Sequence, residues 1–279
     1  MHSGWIHAGG VSLQTLFRNE RIAIVRWKCC ADANGRTAEM RRSWYILSFT
    51  HSGTFLLHSC SQAQIIDATR AMVVRPGEPF HLTRCNESRA TGCSVLVRPD
   101  VFDEIAGNVG DSVARFDIPA SAFLLQHLLL RRAEDAAVTE TALAIARATL
   151  RTGRKSTRSA ATETTVDVQA LLASKLTERV RLGEIARAVN RSPSHLCRTF
   201  HHETGLRMRV YLQRLRICAS VAEVMDRRTN LSALAQTLGY SSHSHFDEAF
   251  RNELRITPAE LRRIAALPTL TEMQKAIFR

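Results

Sequence analysis

The chain has 279 residues, with 38 Lys and Arg against 26 Asp and Glu and a formal net charge of +12. That length suits two domains, each able to bury a core, and the charge suits a polyanionic partner. No apolar run reaches the ~18 residues of a membrane span, Met1–Gly10 lacks the pattern of a secretion signal, and seven cysteines without a CxxC pair fit a reducing cytoplasm better than a disulfide framework.

From Arg21 to Val97 the pattern is strand-like. Ile22–Trp27, Trp44–Phe49, Phe55–His58, Gln64–Asp67, Ala71–Val74 and Ser94–Val97 are short runs rich in β-branched and aromatic residues. His51-Ser-Gly-Thr54 has the composition of a hairpin turn, with Gly53 supplying positive φ. Strands at this spacing predict a small sandwich or barrel with room for a small ligand. Pro99–Ala106 starts a helix. Pro119–Ala133 and Ala136–Leu150 then predict an antiparallel helical hairpin. Its Leu125, Leu129 and Leu130 form a leftover apolar face that serves either the core or a homodimer interface. Residues 151–162 are polar, small and basic and read as a linker. The linker separates a domain over 1–150 from one over 163–279, whose first helix has Thr164-x-x-Asp167 as its predicted cap.

The second domain carries one pattern twice. Leu182–Phe200 and Leu231–Phe250 each hold a short segment with a small alanine (Ala186, Ala235), a tight turn, and a segment with apolar residues four apart (Leu196 and Phe200; Phe246 and Phe250). This is a helix-turn-helix, in tandem. Ser192-Pro193 opens the first motif's second helix and Gly205 ends it. Leu196, Phe200 and His195 are expected to face inward, leaving Ser194, Cys197, Arg198 and Thr199 on the side that enters a groove. The helix between the motifs, Arg209–Arg227, spans about 28 Å at ~1.5 Å per residue, comparable to the ~34 Å between major-groove openings on one face of DNA.

The region 164–264 resembles the AraC/XylS family of bacterial transcription regulators. Its motif stands here as Leu238-Gly-Tyr-Ser-Ser-His-Ser-His-Phe-Asp-Glu-Ala-Phe250, followed by Thr257-Pro258-Ala-Glu-Leu-Arg262, and Arg216-Ile217 matches in the connecting helix. By that resemblance the base-reading positions fall on Ser194, Cys197 and Arg198 in the first motif and on His243, Ser244, Asp247 and Glu248 in the second. Arg198 can grip guanine O6 and N7 together. Asp247 and Glu248 place negative charge where Arg or Thr is common, so the first motif is expected to carry more of the affinity. Arg255 stands where the family usually has glycine. If that site needs positive φ, arginine there is strained by roughly 1 kcal/mol.

The resemblance implies an α+β chain: an N-terminal cupin-like β-barrel with a helical hairpin, then an all-α tandem helix-turn-helix domain. It also implies a ligand-responsive activator in the cytoplasm, with promoter DNA, RNA polymerase, a small-molecule effector and a second copy of the chain as partners. Two other readings stay open. A cupin-type metal-dependent enzyme would need clustered histidines, but His51, His58 and His81 are scattered. A thiol or soft-metal sensor would use Cys29, Cys30, Cys60, Cys85 and Cys93. The expectation is a binding protein without catalytic residues, cofactor or resident metal.

Overall fold

The computed structural model describes residues 4–29, 35–59, 62–84, 90–106, 113–152 and 162–278. Seven strands form one antiparallel sheet in the order β1 (Ile6–Ala8), β2 (Val11–Arg18), β3 (Ile22–Cys29), β9 (Thr91–Val97), β4 (Tyr45–Ser52), β7 (Arg70–Val74), β10 (Val113–Asp117). Three more form a second, in the order β6 (Gln62–Ile66), β5 (Phe55–Ser59), β8 (Phe80–Arg84). The expected barrel is therefore two sheets, with no closed ring of strands among the described residues. The segment 51–54 turns as expected, with Gly53 at φ 75°, but it is not a hairpin. Both edges of β4 are taken, by β7 and β9, so the chain must leave the sheet there and β5 starts the other one.

Period-two alternation sorts the apolar side chains into two cores. Ile22, Ile24, Leu47, Phe49, Ala71, Val73, Cys93 and Val95 lie on the helix-covered face of the large sheet. Trp27, Cys29, Ile46, Met72 and Val74 pack against Phe55, Leu57, Phe80 and Leu82 of the small sheet. At Gly92 on β9 a Cβ would stand 2.1 Å from the Phe49 carbonyl oxygen and 2.4 Å from the Trp27 ring, so only glycine fits.

Helices α1 (Pro99–Ala106), α2 (Ala120–Arg131) and α3 (Val138–Thr152) cover the large sheet. Every residue of α2 from Ala122 to Leu129 is buried. A helix that is apolar all round belongs inside, and this one has cover from both halves of the chain. His51 and Cys93 of the sheet meet Gln126, at 2.5 Å and 3.0 Å from its Oε1. On another side α11 (Leu270–Ile277) lies along it, tied to the hairpin by the Asp135 carboxylate, which accepts from the Leu270 N–H at 2.9 Å. Leu125 and Leu129 are thus core residues of one chain and do not supply the leftover face for a homodimer.

The C-terminal half continues with α4 (Glu163–Ser174), α5 (Leu182–Ala188), α6 (Pro193–Thr204), α7 (Met208–Met225), α8 (Leu231–Thr237), α9 (His243–Leu254) and α10 (Pro258–Ala265). The cap of α4 is Thr162, not Thr164: its hydroxyl accepts from the Thr165 N–H, and it donates to Glu203. Residues 153–161 of the expected linker, and Cys30, Cys60 and Cys85, lie outside the described residues. One apolar cluster runs from the helix-covered face of the sheet into this half, so the two halves share a core. Among the described residues no helix is long and apolar enough to cross a membrane.

Candidate nucleic-acid interface

Each motif is fixed by local chemistry at its turn. In the first, Asn190 turns at φ 50°, the Ser192 hydroxyl accepts from the His195 N–H, Pro193 opens α6, and Gly205 closes it at φ 79°. In the second, the Asn230 side chain caps α8 through the Ser232 and Ala233 N–H groups, Gly239 turns at φ 75°, and Ser242 caps α9. Ala186 and Ala235 are buried where the paired helices cross, and Leu196, Phe200, Phe246 and Phe250 are fully buried. This anchoring leaves the opposite faces of α6 and α9 to solvent.

On those faces Ser194, Cys197, Arg198, His243, Ser244 and Glu248 are exposed, while Thr199 and Asp247 are half-buried. The His243 ring nitrogen lies 3.3 Å from the Asp247 carboxylate, so part of the acidic character of α9 is engaged along its own helix. His195 is exposed rather than inward. It sits one residue, or about 100°, off the apolar stripe, and its ring lies 3.5 Å from the Thr199 hydroxyl. His245 is likewise exposed, beside the Ser241 hydroxyl at 3.1 Å and edge-on to Tyr240.

Two residues that served only as sequence markers have a clear architectural role. Arg216 on α7 donates to the carbonyls of Leu176 and Glu178, the loop that leads into the first motif. Arg262 on α10 donates to the carbonyls of Val224, Asp226 and Thr229, the loop that leads into the second. Each motif thus has its approach clamped by an arginine one helix beyond it.

Beside α6 lies an open groove of about 880 Å³, floored by Leu172, Ile185 and Leu212 and rimmed by Arg179, Arg181, Arg198, Arg207 and Arg209. No carboxylate lines it. In the repeat, Arg181, Arg198, Arg207 and Arg209 correspond to Asn230, Glu248, Thr257 and Ala259 and only Arg179 meets another arginine, Arg228, so the second motif keeps one of the five rim charges.

Arg255 ends α9 at φ 65°, the left-handed conformation that glycine adopts without strain. Arg255→Gly is expected to raise stability by up to about 1 kcal/mol, less the extra freedom glycine gains when unfolded. A urea unfolding midpoint that falls in the variant contradicts this.

A second candidate site lies between the two sheets. There a cavity of about 100 Å³ is lined mainly by Trp27, Phe55, Met72, Phe80 and Leu96, with Ser48 and Ser94 as its hydroxyls. The Trp27 ring N–H donates to Ser48 at 3.2 Å and Ser94 donates to Ser48 at 3.0 Å. His51 stacks on His127, and His58 stacks on His81, 4.5 Å apart between paired strands. Neither pair has a third ligand: among the described residues no three His, Cys, Asp or Glu are placed to hold a metal ion. Burial pushes the Cys93 thiol up to about 12, away from the thiolate that a reactive sensor needs.

Residues 185–264 match the family model of a helix-turn-helix domain. The Msm operon regulatory protein of Streptococcus mutans is 24% identical over 96 residues, so the chain spans about a third (34%) of that relative's length. Among solved structures, an AraC-type DNA-binding transcriptional regulator from Chromobacterium violaceum is 26% identical, with a TM-score of 0.35, over 38% of this chain and 94% of that one. The C-terminal domain of AraT from Geobacillus stearothermophilus is 20% identical, with a TM-score of 0.36, over 38% of this chain and 88% of its own. ToxT from Vibrio cholerae is 12% identical, with a TM-score of 0.37, over 89% of this chain and 99% of its own. With the motif geometry above, the match identifies residues 185–264 as a helix-turn-helix domain.

Proposed function

We propose that the chain binds promoter DNA through α6 and α9 and that its N-terminal half makes this binding depend on a small molecule. The observation that carries the DNA reading is the pair of motifs, each anchored by buried aromatic residues and each presenting a solvent-facing helix. Arg198 takes a guanine in the major groove, and the arginine rim beside it takes phosphates. Ser194, Cys197 and Thr199 complete the first reading surface, and His243, Ser244, Asp247 and Glu248 form the second. The first motif supplies more of the affinity, because the second keeps only one of the five rim arginines. The cavity between the sheets supports an apolar effector with one hydrogen-bonding group, aimed at Ser48 and Ser94 in the place expected of a cupin-like barrel. From the family resemblance come the remaining parts: an activator in the cytoplasm that works as a homodimer and touches RNA polymerase.

The test is operator affinity of the full chain at several salt concentrations, since phosphate contacts make binding fall steeply with salt. A folded chain with no affinity for any promoter fragment would end the DNA reading. Within it, Arg198→Ala is expected to weaken binding by about 1–3 kcal/mol and to relax preference at one base pair. Glu248→Ala is expected to be neutral or to tighten binding, because a carboxylate near phosphates repels. Loss of binding in Glu248→Ala alone would reverse the assignment of the dominant helix.

A further inference from the structure

The two motifs share their aromatic anchors and differ where they meet the N-terminal half. In the repeat, Thr204 and Tyr211 of the first correspond to Leu254 and Leu261 of the second, and all four are buried. A leucine needs no partner in such a place. A phenol does, because a buried hydroxyl without a hydrogen bond is costly. The second motif meets the N-terminal half through apolar packing of α9 on α2.

Tyr211 finds its partner across the boundary between the halves. Its hydroxyl donates to the Asp67 carboxylate, in the turn between β6 and β7, and accepts from the Gln169 side chain of α4 at 3.2 Å. Asp67 is only 3% exposed and is held in turn by the N–H and hydroxyl of Thr69, at 2.7 Å and 2.6 Å. Three donors fix this carboxylate, and hydrogen bonds to a charged group are the stronger kind. Burial and the Asp67 charge push the Tyr211 phenol well above its ordinary value, so it stays a donor. The same turn is gripped twice more. The Cys218 thiol of α7 donates to the Ala68 carbonyl at 3.5 Å, and Arg70 donates to the carbonyl of Thr204, the last residue of α6, at 3.1 Å.

From Tyr211 the path to the reading surface is short. Its ring stands edge-on to Phe200, with 5.4 Å between centroids, and Phe200 is the fully buried anchor of α6. Arg198 lies two residues earlier, on the opposite and exposed face of that helix. We propose that Tyr211 is a positioning residue of the DNA-binding surface: tied to Asp67, it fixes α6 against the N-terminal half, which thereby sets where Arg198 points. Its effect on DNA rests on the DNA reading above; its hold on α6 does not.

The test is hydrogen exchange of the full chain carrying Tyr211→Phe, which keeps the ring on Phe200 and removes the hydroxyl alone. Amides of α6 are expected to exchange about tenfold faster than in the wild type, the size of one lost hydrogen bond to a charged group, while those of α9 keep their wild-type rates. Asp67→Asn, which keeps an oxygen able to accept from the hydroxyl, is expected to change α6 less. In parallel, operator affinity is measured for Tyr211→Phe, Arg198→Ala and the double variant. Arg198→Ala is expected to cost several-fold less affinity in the Tyr211→Phe background, because a displaced α6 has already lost part of that contact, whereas His243→Ala costs the same in both. Equal acceleration of α6 and α9, or of neither, overturns the proposal, since the hydroxyl then serves general stability or nothing. Effects of Tyr211→Phe and Arg198→Ala that simply add overturn it too. If the wild-type chain binds no promoter fragment, the DNA reading falls and the exchange rates alone decide whether Tyr211 holds α6.

Discussion

Gly92→Ala is expected to destabilise the N-terminal half by at least about 3 kcal/mol, the upper end of what overpacking a core usually does. The added methyl meets a backbone oxygen and the Trp27 ring at well under van der Waals distance. Neither gives way cheaply. The Phe49 carbonyl belongs to the β4–β9 pairing, and the Trp27 ring is held edge-on to Phe55 and hydrogen-bonded to Ser48. Because Trp27 and Ser48 line the cavity between the sheets, effector response should be lost together with stability. A urea midpoint for Gly92→Ala equal to wild type would show that the two strands can part more easily than their packing indicates.

Arg262→Met is expected to cost about 3 kcal/mol and to impair DNA binding without touching any proposed base-reading residue. Three carbonyls, of Val224, Asp226 and Thr229, lose a charged donor, and hydrogen bonds to charged groups are each worth about 1.5–3 kcal/mol. These carbonyls hold the loop between α7 and α8, so the second motif should lose its fixed approach to α9. Arg262→Lys should recover only part of the effect, because an ammonium lacks the planar fork that reaches three acceptors. The measurements are the urea midpoint and operator affinity of both variants. If Arg262→Met keeps wild-type stability while losing affinity, the residue contacts DNA and its clamping role is wrong.

The helices of the motifs were legible because their signals are local. Ser192-Pro193 and Gly205 act within one turn of the residues that encode them, and both are found where the sequence placed them; the Thr257–Glu260 capping box of α10 is equally local. Strands were less legible. Val11–Arg18 mixes Ser12, Gln14 and Thr15 with its apolar residues, so its alternation is weak even though it pairs with β3 just across residues 19–21. Dependence on distant partners turned the predicted hairpin at 51–54 into a crossing between sheets, since β7 and β9 take both edges of β4. His195 was misplaced by reading four-residue spacing too broadly.

Helix α2 has a consequence for how the chain is made. It lies in the first half of the sequence, yet part of its cover comes from α11, the last of the described helices. During synthesis the N-terminal half therefore leaves the ribosome with a leucine-bearing helix that its own sheet cannot fully enclose. Roughly 140 further residues, about ten seconds of translation at ~5–20 residues per second, pass before α11 arrives. Over that interval the nascent chain is expected to display apolar surface that only the later helices cover.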